Sequence, residues 1–281
     1  MMRYVRIVVL LVLCSLGLTG RAEVVLDTAL KSGVLKLGYR EQSPPFSFIG
    51  PDQRPQGYSI DLCKSVAAQI ARKVDKHSLE IKWVAVDANS RFDALKKGEI
   101  DILCGNTTHT LSRRGDFDFS LTTFVDGAGL LYRAGEQPKT ARDMRGLRFV
   151  VVEGTTTEAT LAKMVAASRL GAQLLRVKDH EAALAMLGAK GAEAYAADRT
   201  VLIATALKEG GQYELSLAQF SYEPYALAFR RDADLRLLVD QTLAGLFRTG
   251  EIEAIMGRWF AQIGYLTPAL EAMIQLNALP E

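Results

Sequence analysis

Short apolar segments alternate with helical segments along the chain, and this alternation restricts the possible folds more than any other feature of the sequence. In the first hundred or so residues, apolar segments of strand length lie at 34–39, 81–86 and 100–104. Between the first two, Leu62, Val66 and Ile70 recur every four residues, as on one face of a helix. Between the second and the third, a helix is predicted to begin at Asn89 and to end at Gly98. This β-α-β-α-β order is typical of a parallel sheet with crossover helices.

The alternation is interrupted once and then resumes. Residues 134–138 form a turn-rich break. Beyond the break, strands are predicted at 147–152, 173–177, 193–197 and 225–229, with helices between them. Two further helical segments follow Arg231. A chain of 281 residues is long enough for two lobes with separate cores, so the sequence predicts an α/β protein with two lobes of similar architecture.

Polar side chains that can bind a charged ligand follow the predicted strands of both halves. In open α/β sheets, ligands bind at the carboxyl ends of the strands. These residues are Arg40, Arg91, Thr108 and Arg113 in the first half, and Thr155, Thr156, Thr157, His180 and Asp198 in the second. The set holds three cations, one histidine and one carboxylate, which suits a small ligand with two carboxylates and one ammonium group. Taken singly, each residue also fits an ordinary structural role.

The stretch 100–114 contains the most informative of these strand ends. The predicted strand stops at Gly105, and a turn rich in hydroxyl groups follows. Thr110 stands in the position of a helix N-cap, three residues before Arg113. A helix N-terminus favours anions, and arginine can bind both oxygens of a carboxylate, so we expect a carboxylate here. The alternative is a solvated loop beside a surface arginine.

Composition and motifs argue against several other classes of protein. The chain has 34 basic and 32 acidic side chains and a formal net charge of +2, which disfavours nucleic acid as a partner. It contains no Gly-x-Ser-x-Gly elbow, no glycine-rich phosphate loop and no zinc motif. The histidines and cysteines do not have the spacing of metal ligands. We therefore predict no metal, no cofactor and no catalytic residue.

The first 22 residues have the features of a secretory signal peptide. Two arginines among the first six residues precede an apolar run at 7–18, and small residues surround a cleavage point after Ala22. The run is too short to span a bilayer comfortably, and an uncleaved membrane anchor is the alternative. Cys14 lies inside the apolar run behind the bulky Leu13, which argues against a lipoprotein. We predict a secreted, soluble protein.

Two cysteines, Cys63 and Cys104, lie outside the predicted signal peptide. In an oxidising compartment they could form a disulfide. Two separate buried thiols fit the sequence as well, because free cysteine is among the most buried residue types. Both alternatives stay open at the level of the sequence.

Several motifs together resemble one family of proteins. They lie at 33–40, 45–47, 57–62, 105–108, 117–120, 146–152, 154–158 and 178–180. Among them are Gly57-Tyr58-Ser59-Ile60-Asp61-Leu62 and Gly154-Thr155-Thr156-Thr157-Glu158. From residue 30 to residue 265 the chain resembles the periplasmic amino-acid-binding proteins of ABC importers, bacterial solute-binding family 3. The resemblance is greatest to members that bind glutamate and aspartate.

The resemblance implies the two-lobed fold of type II periplasmic binding proteins, in which each lobe is a mainly parallel sheet flanked by helices. It implies that residues 23–131 and 232–281 form lobe 1 and that residues 132–231 form lobe 2. The two crossover segments are expected near 131–133 and 229–231. A hinge motion would then close the lobes around the ligand.

The resemblance also implies how the backbone end of an amino acid would be bound. Arg113 stands at the family's clamp position and would bind the α-carboxylate. Thr108 and the predicted helix start at Thr155–Thr157 would assist it. Asp198, just past its strand, matches the family's partner for the α-ammonium group.

The side-chain end of the ligand would be bound by a second group of residues. Arg40, Arg91 and His180 match positions that hold the side-chain carboxylate in members with acidic ligands. The chain departs from the family at Asn106 and at Ala88, where serine is usual. Asn106 can still donate and accept hydrogen bonds, whereas Ala88 cannot. The discrimination between glutamate and aspartate is therefore not predicted.

The implied function is capture of glutamate or aspartate by a monomeric periplasmic protein that delivers it to the membrane permease of an ABC importer. A rival is cyclohexadienyl dehydratase, an enzyme on the same fold that acts on arogenate or prephenate. That reaction needs a general acid aimed at the departing hydroxyl, and the sequence offers no spare buried acid. A sensor is a third alternative, but neither a kinase nor a second membrane segment follows in the sequence.

Overall fold

The computed structural model describes residues 24–73, 79–140, 142–264 and 267–280; the predicted signal peptide at 1–22 lies outside the described residues. The strands are β1 (Val34–Tyr39), β2 (Gln42–Ser43), β3 (Ser47–Ile49), β4 (Pro55–Gln56), β5 (Glu80–Ala85), β6 (Ile102–Cys104), β7 (Phe117–Phe119), β8 (Phe124–Asp126), β9 (Ala128–Arg133), β10 (Arg148–Val152), β11 (Gln173–Val177), β12 (Ala194–Asp198), β13 (Tyr213–Leu215), β14 (Glu223–Tyr225) and β15 (Ala228–Arg230). The helices are α1 (Val25–Ser32), α2 (Tyr58–Ala71), α3 (Arg91–Lys97), α4 (Thr156–Ser168), α5 (His180–Gly188), α6 (Arg199–Lys208), α7 (Ala233–Thr249), α8 (Glu251–Phe260) and α9 (Pro268–Asn277).

The first sheet has the strand order β5-β1-β6-β15-β7. Strand β1 lies between β5 and β6 and is parallel to both, as the alternation of the sequence predicts. Strand β15 comes from the far end of the chain and is antiparallel to β6 and β7. Cys63 on α2 and Cys104 on β6 form a disulfide, one of the two alternatives that the sequence left open. A disulfide fits an oxidising compartment.

The second sheet repeats this topology, with the strand order β11-β10-β12-β9-β13. Strand β10 is parallel to its neighbours β11 and β12, and β9 is antiparallel to β12 and β13. In each sheet, the first three strands of the strand order are therefore parallel to one another, and the fourth is antiparallel to them. The loops that follow the parallel strands emerge at one edge of each sheet, which is where the sequence places its candidate residues.

The chain passes between the two sheets twice, beside the antiparallel pair β8 and β14, in which Asp126 is the partner of Glu223. These crossings come earlier in the sequence than the expected positions near 131–133 and 229–231. Strand β9 lies inside the second sheet and β15 inside the first, so the residues expected to be crossovers are sheet residues. Hydrophobicity cannot separate the two cases, because a buried strand and a buried connection have the same apolar pattern.

The core of the first half extends over helices from both ends of the chain. One hydrophobic cluster includes buried residues of α1, α2, α7, α8 and α9 together with residues of the first sheet. At its centre, the fully buried Phe46 packs against the rings of Phe124 and Tyr225, with centroids 5.0 and 5.1 Å away. Burial of aromatic side chains stabilises such a core by ~1.5–3 kcal/mol for each side chain. None of the described helices is both long and apolar enough to cross a membrane.

Some elements were not expected from the sequence. Helices α1 and α9 and the small sheet formed by β2, β3 and β4 were not predicted. The strand predicted at 225–229 is divided into β14, which pairs with β8, and β15, which joins the first sheet. Pairing with distant strands decides where such short strands begin and end, so a local pattern does not reveal their boundaries.

Candidate functional site

One cavity between the two sheets is lined by every residue that the sequence analysis selected. The selected residues are Arg40, Arg91, Asn106, Thr108, Arg113, Thr155, Thr156, Thr157, His180 and Asp198. Val152, Ala196 and Ala197 complete the lining.

Arg113 is positioned by a short turn and not by the longer helix that the sequence suggested. Thr110 Oγ1 accepts a hydrogen bond from the Arg113 backbone N–H at 3.2 Å, as a cap would, but the 3-10 helix spans only Arg113–Gly115. The Arg113 side chain donates from Nη1 to the carbonyl of Thr108 at 2.7 Å. Its Cζ lies 4.8 Å from the centroid of the Phe92 ring. A guanidinium has five N–H donors, so these contacts fix its orientation and leave donors for a ligand.

Arg91 is the first residue of α3 and is only 4% exposed. It donates from Nη1 to the carbonyl of Ala88 and, across the cleft, from Nη2 to the carbonyl of Gly154 at 3.1 Å. Burial lowers the pKa of Arg91 well below its usual range, and the charges of Arg40 and Arg113 lower it further. A bound carboxylate would relieve this repulsion.

Arg40 follows β1 and is 8% exposed. Its backbone N–H donates to Ser47 Oγ at 2.9 Å, which ties the loop after β1 to β3. Burial lowers the pKa of the Arg40 side chain, and nearby acids, Asp87 first among them, partly offset this. The first half thus contributes three guanidinium groups to one enclosed space.

The second half contributes a helix N-terminus. Thr155 is the N-cap of α4, as its place in the sequence suggests: its Oγ1 accepts from the N–H of Glu158 at 3.0 Å. Glu158 Oε2 accepts in turn from the N–H of Gly154, the residue before the cap, at 2.8 Å, so the two side chains fix the turn at which α4 begins. Residues 155–157 line the cavity, and the N-terminus of a helix favours a negatively charged ligand group.

His180 is the first residue of α5, and its imidazole is enclosed by the surrounding protein. Nδ1 shares a hydrogen bond with the hydroxyl of Tyr195. Burial lowers the pKa of His180 to about 3, with a further lowering by the charge of Arg40, while Asp179 acts in the opposite direction. In this structure His180 is therefore neutral at pH 7. It offers a ligand a hydrogen bond and not a positive charge.

Asp198 receives hydrogen bonds from both halves of the molecule. Asn106 Nδ2 donates to its Oδ2 at 2.9 Å, and Thr157 Oγ1 donates to its Oδ1 at 3.1 Å. Burial raises the pKa of Asp198, and the charge of Glu223 raises it further. The Oδ1 atom of Asn106 is buried and has no hydrogen-bond partner. A cationic ligand group would satisfy both residues.

Glu223 lies behind this lining and was not predicted. It belongs to β14, is 2% exposed, and its Oε2 accepts hydrogen bonds from Thr108 Oγ1 at 2.6 Å and from Thr156 Oγ1 at 2.7 Å. Its Oε1 accepts from Ser221 Oγ at 2.6 Å. No local signal marks Glu223, because it reaches the site only through the long-range pairing of β14 with β8.

Asp126, on β8, is a second buried acid that the sequence analysis missed. Its oxygens accept from the N–H groups of Gly127 at 2.8 Å and of Thr200 at 3.2 Å. Burial and the negative charge of Asp198 raise the pKa of Asp126 to about 7. The expectation that the chain has no spare buried acid is therefore wrong. Asp126 does not belong to the lining of the cavity.

Hydrogen bonds cross the cleft at several points. Besides the contacts of Arg91 with Gly154 and of Asn106 with Asp198, Gln42 Nε2 donates to Glu181 Oε2 at 3.0 Å. The two halves are thus in contact around the cavity. The described residues contain no group of three or more histidine, cysteine or acidic side chains that could hold a metal ion. Enclosed cations, a helix N-terminus and a carboxylate can together bind a small ligand of mixed charge.

Comparisons with known proteins agree with this architecture. The family model for bacterial extracellular solute-binding proteins, family 3, matches residues 35–262. The glutamate/aspartate import solute-binding protein of Salmonella typhimurium is 32% identical over 238 residues, which cover 84% of this chain and 79% of the relative.

Solved structures give the same result for the fold. The chain is similar to the P235GK mutant of ArgBP from T. maritima, with a TM-score of 0.75 and 25% identity over 84% of this chain and 99% of the other. It is also similar to the ancestral amino acid-binding protein AncCDT-1, a precursor of cyclohexadienyl dehydratase. There the TM-score is 0.72 and the identity 24%, over 84% of this chain and 99% of the other. The predicted two-lobed α/β fold is confirmed. The chain belongs to the bacterial extracellular solute-binding proteins of family 3.

Proposed function

We propose that this protein captures glutamate or aspartate in the periplasm and delivers it to the membrane permease of an ABC importer. The observation that carries the proposal is the lining of one cavity by Arg40, Arg91, Arg113 and Asp198. A ligand with two carboxylates and one ammonium group matches this set of charges. The printed function of the Salmonella typhimurium relative, glutamate and aspartate import, supports the same ligand class.

The backbone end of the ligand would lie near Arg113 and Asp198. Arg113 has free donors beside the N-terminus of α4, and both favour a carboxylate. Asp198 and the unpartnered Oδ1 of Asn106 are acceptors that suit an ammonium group. Each of the two charged groups on the ligand's α-carbon would therefore be bound by residues from both halves of the protein.

The side-chain carboxylate would lie near Arg40, Arg91 and His180. Both guanidinium groups are buried, and the charge of Arg40 lowers the pKa of Arg91, so an anion between them is favoured. His180 is neutral and adds a hydrogen bond. In a buried site a neutral amide would leave the cations without counter-charge, which is costly.

Capture would require movement of two lobes, one built on each sheet. The lobes would turn about the β8–β14 pair, where the chain crosses between them, and closure would exclude water from the ligand. Excluding water strengthens every charge interaction inside the cavity. A monomer is sufficient for this function, since all the proposed contacts come from one chain.

Calorimetry tests the proposal directly. The chain without residues 1–22 would be unfolded in denaturant, dialysed to remove any bound ligand, refolded and titrated with glutamate and with aspartate. We expect saturable binding of at least one of them. Absence of binding by both, in protein whose refolding is verified by circular dichroism, would contradict the proposal.

An enzyme of the cyclohexadienyl dehydratase class is the second candidate, because the buried Asp126 has a pKa of about 7 and could in principle give up a proton. Its oxygens, however, are occupied by the N–H groups of Gly127 and Thr200 and by the hydroxyl of Tyr225, and it does not line the cavity. We therefore predict that the protein forms no phenylalanine from arogenate and no phenylpyruvate from prephenate. Steady product formation above a heat-inactivated control would favour the enzyme instead.

A further inference from the structure

Glu223 connects the two halves of the molecule through a single oxygen atom. Thr108 follows β6 of the first sheet, and Thr156 begins α4 beside the second. Both hydroxyl groups donate to Oε2 of Glu223, at 2.6 and 2.7 Å, and the two hydroxyl oxygens are 3.1 Å apart. Both threonines also line the ligand cavity. Glu223 therefore contacts two side chains that also line the ligand cavity.

The hydrogen-bond pattern accounts for both hydroxyl protons. Each threonine hydroxyl has one proton and two lone pairs. If both donate to Glu223, neither proton is free; if one donates to the other threonine, that second threonine still donates to Glu223. In either arrangement the hydroxyl groups can only accept hydrogen bonds from the cavity. They cannot donate to a ligand carboxylate, although the sequence analysis expected Thr108 to assist there.

We infer that Glu223 is a positioning residue that turns the hydroxyl groups of Thr108 and Thr156 into acceptors for the ligand's ammonium group. This inference rests on the proposed function. Together with Asp198 and Asn106 Oδ1, the two hydroxyl oxygens form a set of acceptors that suits an ammonium donor. The carboxylate of Glu223 adds negative charge behind them.

Neighbouring groups are consistent with Glu223 acting as a carboxylate. All three of its described hydrogen-bond partners are hydroxyl groups that donate, including Ser221 at the other oxygen. Arg113 is close enough to feel its charge, and so is Asp198. Because its two threonine partners come from opposite halves, the set of acceptors is complete only when the halves are in contact.

A pair of ligands separates this role from a merely structural one. Glutamate and 2-hydroxyglutarate have the same two carboxylates, but in the second a hydroxyl group replaces the ammonium. Glu223→Gln removes the negative charge behind the two threonine hydroxyl groups and keeps the shape of the side chain. We expect the variant to lose affinity for glutamate about tenfold more than affinity for 2-hydroxyglutarate, as measured by competition calorimetry. Glu193→Gln is the matched control, since Glu193 pairs with Arg148 away from the cavity and should leave the ratio unchanged.

The outcomes distinguish this inference from the proposed function. Equal loss for both ligands in Glu223→Gln, with wild-type protein that binds glutamate, would overturn the role of Glu223 and leave the proposed function intact. Failure of the wild-type protein to bind glutamate or aspartate would contradict the proposed function itself.

A second measurement uses glutamate alone. If Glu223 acts through the hydroxyl groups, the effects of Glu223→Gln and Thr156→Val on glutamate affinity should be strongly non-additive in the double variant. Additive effects would overturn the inference. Thermal unfolding of each variant identifies any that fails to fold, and Glu223→Asp, which keeps the charge, is expected to recover part of the selectivity for the ammonium ligand.

Discussion

The two sheets have the same strand order but present different chemical groups to the cleft. The loops of the first sheet and its helices supply Arg40, Arg91 and Arg113, whereas the second supplies Asp198, hydroxyl groups and the N-terminus of α4. Topology therefore fixes where side chains meet, and the residue types in the loops determine what they bind. A ligand of mixed charge would bridge the two halves, because neither half alone offers partners for all of its groups.

The difference also appears in how the polar groups are satisfied. The guanidinium groups of Arg91 and Arg113 in the first half donate to backbone carbonyls and keep donors free. The acceptors of the second half already have partners, with Asp198 bound by Asn106 and Thr157. Removing a residue from the first half should therefore cost more affinity than disturbing the second, and the following variants test this expectation.

The largest effect is expected for Arg113→Ala. Hydrogen bonds to charged groups are worth ~1.5–3 kcal/mol each, so loss of two such bonds to the α-carboxylate would weaken binding of every amino acid by about a hundredfold or more. Arg114→Ala is the matched control, because the neighbouring Arg114 is exposed and does not line the cavity. A loss of less than about tenfold for all ligands in calorimetry would contradict the role of Arg113.

Arg91→Ala should change selectivity more than overall affinity. We expect the wild-type protein to bind glutamate or aspartate about a hundredfold more tightly than glutamine or asparagine, because buried cations favour an anion strongly. The variant should narrow this ratio by about tenfold and affect the amides less. Lys97→Ala on the same helix, exposed to solvent, serves as the control. Equal affinity of the wild-type protein for glutamate and glutamine would refute the charge argument.

Gly154→Ala should weaken binding several-fold by obstructing closure. Gly154 has φ +74°, and an added Cβ would lie 2.3 Å from Asn89 Oδ1 and 3.1 Å from the carbonyl oxygen of Ala88, both in the opposite half. Gly171→Ala is a close control, since its φ is +64° and an added Cβ would meet nothing within 4 Å. Both variants carry the backbone strain, roughly 1–2 kcal/mol, but only the first obstructs the cleft. Similar affinities of the two variants would show that this contact does not limit closure.

The smallest effect concerns stability as a function of pH. The pKa of Asp126 is raised from 3.8 to about 7 in the folded protein, so the folded state holds this proton more tightly than the unfolded state. Its contribution to the free energy of unfolding is complete below the unfolded pKa and is lost as the pH rises towards about 7. Asp126→Asn should remove this decrease, whereas Asp116→Asn, an exposed site, should not.

Denaturant titrations at several pH values measure this difference. His180 acts in the opposite sense: its pKa falls from 6.5 to about 3 on folding, so its contribution is complete above the unfolded value and is lost as the pH falls. The gain of Asp126→Asn relative to wild type should therefore grow as the pH rises from 3.8 to about 7 and then level off, while the His180 effect is the same in both proteins. A constant difference between variant and wild type across this pH range would show that Asp126 is not titrating as described.

The sequence by itself determined the elements that depend on local patterns. The spacing of Leu62, Val66 and Ile70 predicted α2, and Gly98 ends α3 in the left-handed conformation that favours glycine. Strand-end positions identified nine of the residues that line the cavity, and the family resemblance added Asn106. The strand-end residues meet because parallel strands bring their carboxyl ends to the same edge of a sheet. The hydroxyl-rich turn and the cap at Thr155 were readable for the same local reason.

Only the tertiary structure decided which distant groups complete the site. Glu223 and Asp126 meet through the pairing of β14 with β8, almost a hundred residues apart in the chain, and no local periodicity encodes such a contact. The same holds for the crossings between the sheets. One crossing was expected near Leu131, but Leu131 is a buried residue of strand β9. The protonation state of a buried group depends on such contacts as well. His180 is neutral because burial and the charge of Arg40 disfavour its cationic form. The free energy of a buried charge is set by its surroundings and not by the residue type.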